Sequence, residues 1–139
     1  MESNFYYNYL IFVPAVTFVI TIFFKWLFIK LKTGKLDLEW ALGSWWMPSV
    51  HSSVVVSLAT AVALKLWVTS DLFAISMAFT VIIIYDAINV RFEAWQHAVA
   101  INKLLGKNKF KESLWHLPSE AFAGSILGIL VAVIMWYLW

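Results

Sequence analysis

Four long runs of apolar residues, separated by short polar stretches, organise this chain. A helix needs about 20 largely apolar residues to cross the hydrocarbon core of a bilayer, and each run reaches that length. The first extends from about Tyr7 to Phe28 and the second from about Pro48 to Val68. The third begins near Leu72 and carries no charge before Asp86, with helical character continuing toward Ala100; the fourth runs from about Pro118 to Trp139. The pattern predicts an all-α, polytopic integral membrane protein in which residues 1–139 form a single domain, a bundle of four transmembrane helices. The first run lacks the basic leader and cleavage site of a secretory signal, its only early charge being Glu2, so it reads as a retained helix.

Composition strengthens that reading. Of 139 residues, 63% are hydrophobic and 13% charged, against roughly 45–50% and about 25% in soluble domains. So small a globule could not hide this surplus from water, and it belongs in lipid. A net charge of +2 argues against a basic nucleic-acid module, and the absence of cysteine removes thiolate nucleophiles, Cys-bound metals and any disulfide framework.

Charge and small residues then suggest how the helices are arranged. Lys25, Lys30, Lys32 and Lys35 follow the first helix, and Arg91, Lys103, Lys107, Lys109 and Lys111 follow the third, whereas the opposite side holds only Lys65. Basic loops stay in the cytoplasm, so both connections are expected there and both termini on the non-cytoplasmic side, in what reads as a bacterial plasma membrane. Tyr6, Tyr7, Tyr9, Trp67, Trp136, Tyr137 and Trp139 would form one aromatic belt, and Trp40, Trp45, Trp46, Trp95 and Trp115 the other. Small residues recur at helical spacing as Ala121, Gly124, Gly128 and Ala132 in the fourth helix. Ser49, Ser53, Ser57, Thr60 and Ala61 do the same in the second. Helices in lipid associate through such stripes, and helix contact alone accounts for both.

Ionisable side chains at membrane depth are expensive and mark function. His51, Asp86, Arg91, Glu93, His97, His116 and Glu120 all fall toward the cytoplasmic side of the expected topology, although His51 and His116 are far apart in sequence. Pro48-Ser49-Val50-His51 opens the second helix and His116-Leu117-Pro118-Ser119-Glu120 the fourth, each with a proline suited to the first helical position. Helix N-termini offer unpaired N–H groups and the positive end of the helix dipole. Two such termini, each beside a histidine, suggest phosphate, while either histidine alone reads as an interfacial ring satisfied by backbone or water. At 100° per residue, Asp86, Asn89, Glu93, Gln96 and His97 share one face of the third helix. Arg91 points away from that face and can join Asp86 only where the helix bends or ends. Asp86, Glu93 and His97 match no metal-ligand spacing, so neither a metal nor any other cofactor is expected.

Three ordered motifs carry a resemblance. Met47-Pro48-Ser49-Val50-His51-Ser52, then Tyr85-Asp86-Ala87 with Val90-Arg91 and Gln96, then Lys111 through Glu120 with Gly124 resemble the divergent branch of the type 2 phosphatidic acid phosphatase superfamily, also described as acid phosphatase/vanadium-dependent haloperoxidase related. The likeness runs from about Lys25 to Gly128. Trp45, Trp46 and Trp115 stand where the family pattern has glycine, Val50 where it has serine, and Asn89 where it has glycine. The resemblance implies a phosphatase in which His116 attacks phosphorus, Glu120 orients it, and His51 protonates the leaving alcohol. It also implies that Ser49, Arg91, Lys25 and Asp86 serve the substrate phosphate, with Lys35 in reserve for Lys25.

The expected activity is hydrolysis of a lipid phosphomonoester or diphosphate, glycerolipid or isoprenoid, through a phosphohistidine at the cytoplasmic interface. Two alternatives stay open: a catalytically weak or inactive relative that binds anionic lipid or a membrane partner, and a small transporter using the polar face of the third helix. Four helices are fewer than the parent superfamily usually carries, which leaves room for a homodimer.

Overall fold

A computed structural model describes residues 8–34, 47–110, 112 and 117–139. These residues form helices α1 (Tyr9–Thr33), α2 (Val50–Leu66), α3 (Asp71–Tyr85), α4 (Arg91–Leu105) and α5 (Pro118–Leu138), with a π-helical turn, Asp86–Val90, joining α3 to α4. No strand occurs among the described residues.

Local chemistry sets most of the helix ends. Asn8 caps α1 by accepting from the Leu10 N–H at 3.1 Å, and Gly34, left-handed at φ 68°, ends it by donating to the Lys30 carbonyl. Ser49 caps α2, so Pro48 precedes the cap instead of occupying the first helical position expected for it. Pro118 does open α5, where the Glu120 carboxylate accepts from the Leu117 N–H at 3.0 Å. Between α2 and α3 the chain reverses at Trp67–Ser70; the Ser70 hydroxyl donates to the Trp67 carbonyl and accepts from the Phe73 N–H.

Helix α2 lies at the centre, packed on α1, α3 and α5, with α1 also touching α5. Its neighbours approach through small or hydroxylated residues. On α1 the buried positions are Tyr9, Val13, Thr17, Thr21, Lys25 and Ile29, an unbroken row at spacing four that forms a single ridge. From α5, Gly124 and Gly128 lie directly on the α2 backbone. Large apolar side chains such as Phe18, Phe23, Phe79, Ile82 and Phe122 point outward, as befits a bundle whose solvent is lipid. Helix α1, the continuous rod Asp71–Leu105 and α5 are long and apolar enough to cross a membrane; α2, at 17 residues, is shorter.

The aromatic belt needs one correction. Tyr9 is 1% exposed: its hydroxyl donates to the Ala132 carbonyl at 3.0 Å, and its ring meets Trp136 and Trp139 edge-on. This tyrosine ties α1 to the end of α5 and does not mark an interface. The same contact makes α1 and α5 antiparallel, so Lys25 on α1 and Glu120 on α5 come to the other end of the bundle.

Candidate functional site

That other end gathers residues from four separate segments. Ser49 is fully buried at the head of α2, and its N–H donates to the Glu120 carbonyl at 3.1 Å, fastening the start of α2 to the start of α5. Its hydroxyl accepts from the Ser52 N–H at 3.4 Å and from the Ser52 hydroxyl at 3.2 Å. Two helix N-termini therefore stand side by side, their first-turn N–H groups and positive dipole ends concentrated in one place.

Lys25 reaches the same end along the inward ridge of α1. It is 1% exposed, the only fully buried charged side chain among the described residues, and the Glu120 carboxylate acts on it electrostatically. A buried cation needs compensating charge, and Glu120 supplies some of it while capping α5.

The π-helical turn delivers the third group. In a regular α-helix, residues five apart sit about 140° from each other around the axis, and on that basis Asp86 and Arg91 should diverge. The wider turn, in which the Arg91 N–H bonds back to the Asp86 carbonyl, takes up one extra residue and stacks the two side chains. Arg91 Nε donates to Asp86 Oδ2 at 3.0 Å, and Arg91 Nη2 lies 3.5 Å from His51 Nε2.

The same turn breaks the polar stripe expected along the third helix. Asn89, Glu93, Gln96 and His97 are exposed, whereas Asp86 and Arg91 are half-buried in their ion pair. Among the described residues, no group of three or more His, Asp or Glu side chains is arranged to hold a metal ion. His116, Lys35, Trp45, Trp46 and Trp115 lie outside the described residues.

Two polar features go beyond the sequence reading. A hydroxyl seam runs down the bundle, in which Thr17 and Thr21 on α1 bond to carbonyls of their own helix and Thr21 meets Ser53 of α2 at 2.8 Å. Ser53 belongs to the small-residue stripe expected in the second helix as a contact face, and the threonines across from it formed no part of that stripe. Near the end of α4, buried Asn102 donates to the Phe110 carbonyl and the Glu112 carboxylate and accepts from the N–H groups of Lys109 and Phe110, folding the following loop back onto the helix. A lone asparagine in a polar stretch announces nothing of this kind.

Chemically, the end of the bundle offers an arginine, a buried lysine, two helix N-termini, a serine hydroxyl and a histidine. Such a set suits an anion carrying several oxygens. A model of the family described as "Divergent PAP2 family" matches residues 6–131 of the chain. The chain is also similar to a protein of Bacillus subtilis (strain 168) described as "Uncharacterized membrane protein YuiD", at 37% identity over 123 residues, covering 74% of this chain and 78% of the relative. No solved structure matches.

Proposed function

This chain is an integral membrane protein of the divergent PAP2 family, and from that membership we propose that it is a membrane lipid phosphatase. The substrate class is a glycerolipid or isoprenoid carrying a phosphomonoester or diphosphate headgroup, and the site faces the cytoplasm. The observation that carries this reading is the meeting of Lys25, Ser49, His51, Asp86, Arg91 and Glu120 at one end of the bundle.

In this reading the phosphoryl group lies over the N-termini of α2 and α5, its oxygens held by Ser49, Arg91 and Lys25, with Asp86 acting beside Arg91. Phosphoryl transfer depends mainly on such positioning and charge stabilisation. A ring nitrogen of His116 forms a bond to phosphorus as the phosphorus–oxygen bond to the lipid breaks, and His51 gives its proton to the departing oxygen. Water, losing a proton to His51, then attacks the phosphohistidine, releasing phosphate and restoring His116. Glu120, four residues after His116, is assigned to orient it.

The contact between Arg91 and His51 adds a condition. Arginine has donors only, so the contact is favourable while His51 Nε2 is unprotonated. An arriving phosphate gives Arg91 a stronger acceptor and leaves Nε2 available for the proton it must deliver.

One observation favours the second reading, a weakly catalytic relative that binds anionic lipid or a membrane partner: the Glu120 carboxylate is already engaged with the Leu117 N–H. Phosphate release by the purified protein in detergent separates the two readings. The substrates are phosphatidic acid, phosphatidylglycerophosphate and polyprenyl phosphates or diphosphates, and the variants are His116→Ala and His51→Ala. Turnover abolished in both variants supports the phosphatase; lipid binding without turnover in the wild type leaves the binding role.

A further inference from the structure

Asp86 is a poor candidate for touching phosphate directly. A carboxylate placed against a phosphate oxygen sets like charge on like, and nothing on that side chain donates. What Asp86 does in the structure is accept from Arg91 Nε at 3.0 Å, while another nitrogen of the same guanidinium reaches His51. The guanidinium is planar and its donors are fixed relative to one another, so anchoring Nε settles where Nη2 points. Asp86 thereby sets the direction from which Arg91 meets His51.

The backbone is adapted to this arrangement. Without the π-helical turn, Asp86 and Arg91 would face different ways; with it they stack, and the break falls where α3 leaves the packed bundle and α4 begins. Single π turns inside α-helices are frequent at functional sites. Stability is a weak explanation for the pair, since the arginine and aspartate side chains are 32% and 44% exposed and ion pairs that open contribute little.

We propose that Asp86 is a positioning residue: across the π-helical turn it holds the Arg91 guanidinium against Nε2 of His51, making the arginine and the histidine one preset unit. The catalytic half of this inference rests on the phosphatase reading; the structural half does not. Asp86 acts through Arg91 and is not itself a ligand of the substrate.

Two measurements on the same variants test the proposal. The first is the tautomer of His51, read from nitrogen and carbon shifts of labelled histidine in nanodiscs, with the His51 signal identified by its loss in His51→Gln. The wild type is expected to keep its proton on Nδ1, because Arg91 donates to Nε2. Asp86→Asn and Arg91→Gln should both move it toward the Nε2-protonated form, and Asp86→Glu should restore most of the wild-type signal. The second is phosphate release from phosphatidic acid, where Asp86→Asn should lower kcat/KM by about tenfold or more, the scale of a lost charge-assisted hydrogen bond, with thermal stability nearly unchanged. A His51 tautomer that ignores Asp86→Asn while responding to Arg91→Gln overturns the proposal. A wild type that releases no phosphate removes the phosphatase reading, and the tautomer comparison still decides what Asp86 does.

Discussion

Replacing Gly128 by alanine tests the seating of α5 on α2 most sharply. The added methyl would press into the Ser53 carbonyl oxygen and lie 3.0 Å from the Ser57 nitrogen and 3.1 Å from the Ser53 carbonyl carbon. All three atoms are backbone of the central helix, so no side chain can swing aside. Restoring ordinary contact requires α5 to withdraw by about 1 Å, which strains the 3.1 Å bond from the Ser49 N–H to the Glu120 carbonyl and opens a seam where Ser49, Ser53 and Ser57 are fully buried. Overpacking of this kind costs up to about 3 kcal/mol, while alanine gains about 1 kcal/mol over glycine in helix propensity. The net expectation is a loss of about 2 kcal/mol, or a midpoint lower by roughly 4–10 °C for a chain of this size. Thermal challenge in detergent, followed by size exclusion of the surviving folded fraction, measures it. Ser125→Ala serves as the control, since among the described residues that hydroxyl bonds only to the Ala121 carbonyl of its own helix and should be nearly neutral. A Gly128→Ala midpoint at or above wild type would mean that propensity prevails and that α5 does not rest on the backbone of α2.

Other expectations follow from single contacts. Tyr9→Phe keeps the ring and loses the bond to the Ala132 carbonyl, so it should destabilise by about 1 kcal/mol, visibly less than Gly128→Ala in the same assay. A double-mutant cycle on Thr21→Val and Ser53→Ala should return a coupling near 0.6 kcal/mol, the average for hydroxyl bonds between membrane helices; a value near zero would deny the 2.8 Å contact. Asn102→Ala should release the loop that Asn102 holds at Lys109, Phe110 and Glu112, seen as faster trypsin cleavage at Lys107 and Lys109, with unchanged cleavage arguing against the clasp. Because the chain has no cysteine, Lys107→Cys and Thr69→Cys report orientation directly. Impermeant thiol reagent added to intact cells should label Thr69→Cys and spare Lys107→Cys, and the reverse pattern would invert the proposed topology.

Much of the bundle was legible because membrane solvation writes it in composition. Apolar runs of spanning length, basic residues clustered at one end and stripes of small residues each reflect a single strong constraint, and the described helices follow them. Gly124 and Gly128 were readable as contact positions because only glycine permits the backbones of α2 and α5 to approach so closely. The helix ends were less legible, since caps such as Asn8, Ser49 and Gly34 shift a boundary by a few residues without altering the hydrophobic pattern. The relation of Asp86 to Arg91 was legible only as a condition, that the helix bend or end between them. Projection at 100° per residue assumes an unbroken α-helix, and one π turn rotates everything beyond it. Tyr9 was misassigned because amphipathic aromatic rings suit both an interface and a buried hydrogen bond, and only the neighbouring Ala132 carbonyl decides between them.

The hydroxyl seam also bears on how the protein is made. Thr17, Thr21, Ser53, Ser57, Thr60, Ser76, Thr80 and Ser125 each donate to a carbonyl three or four residues earlier in their own helix. Each helix can therefore leave the insertion machinery with these groups already satisfied, and none must wait in the lipid for a neighbour. Lateral assembly then shares or redirects the single hydroxyl proton of Thr21 or Ser53 in their mutual contact and that of Thr80 toward the Val55 carbonyl. It adds the bonds of Tyr9 to the Ala132 carbonyl, of the Ser49 N–H to the Glu120 carbonyl and of Arg91 to His51. Integration and association become separate events, and the serine-rich α2 can enter the bilayer before α3 and α5, which follow it in the chain, have arrived.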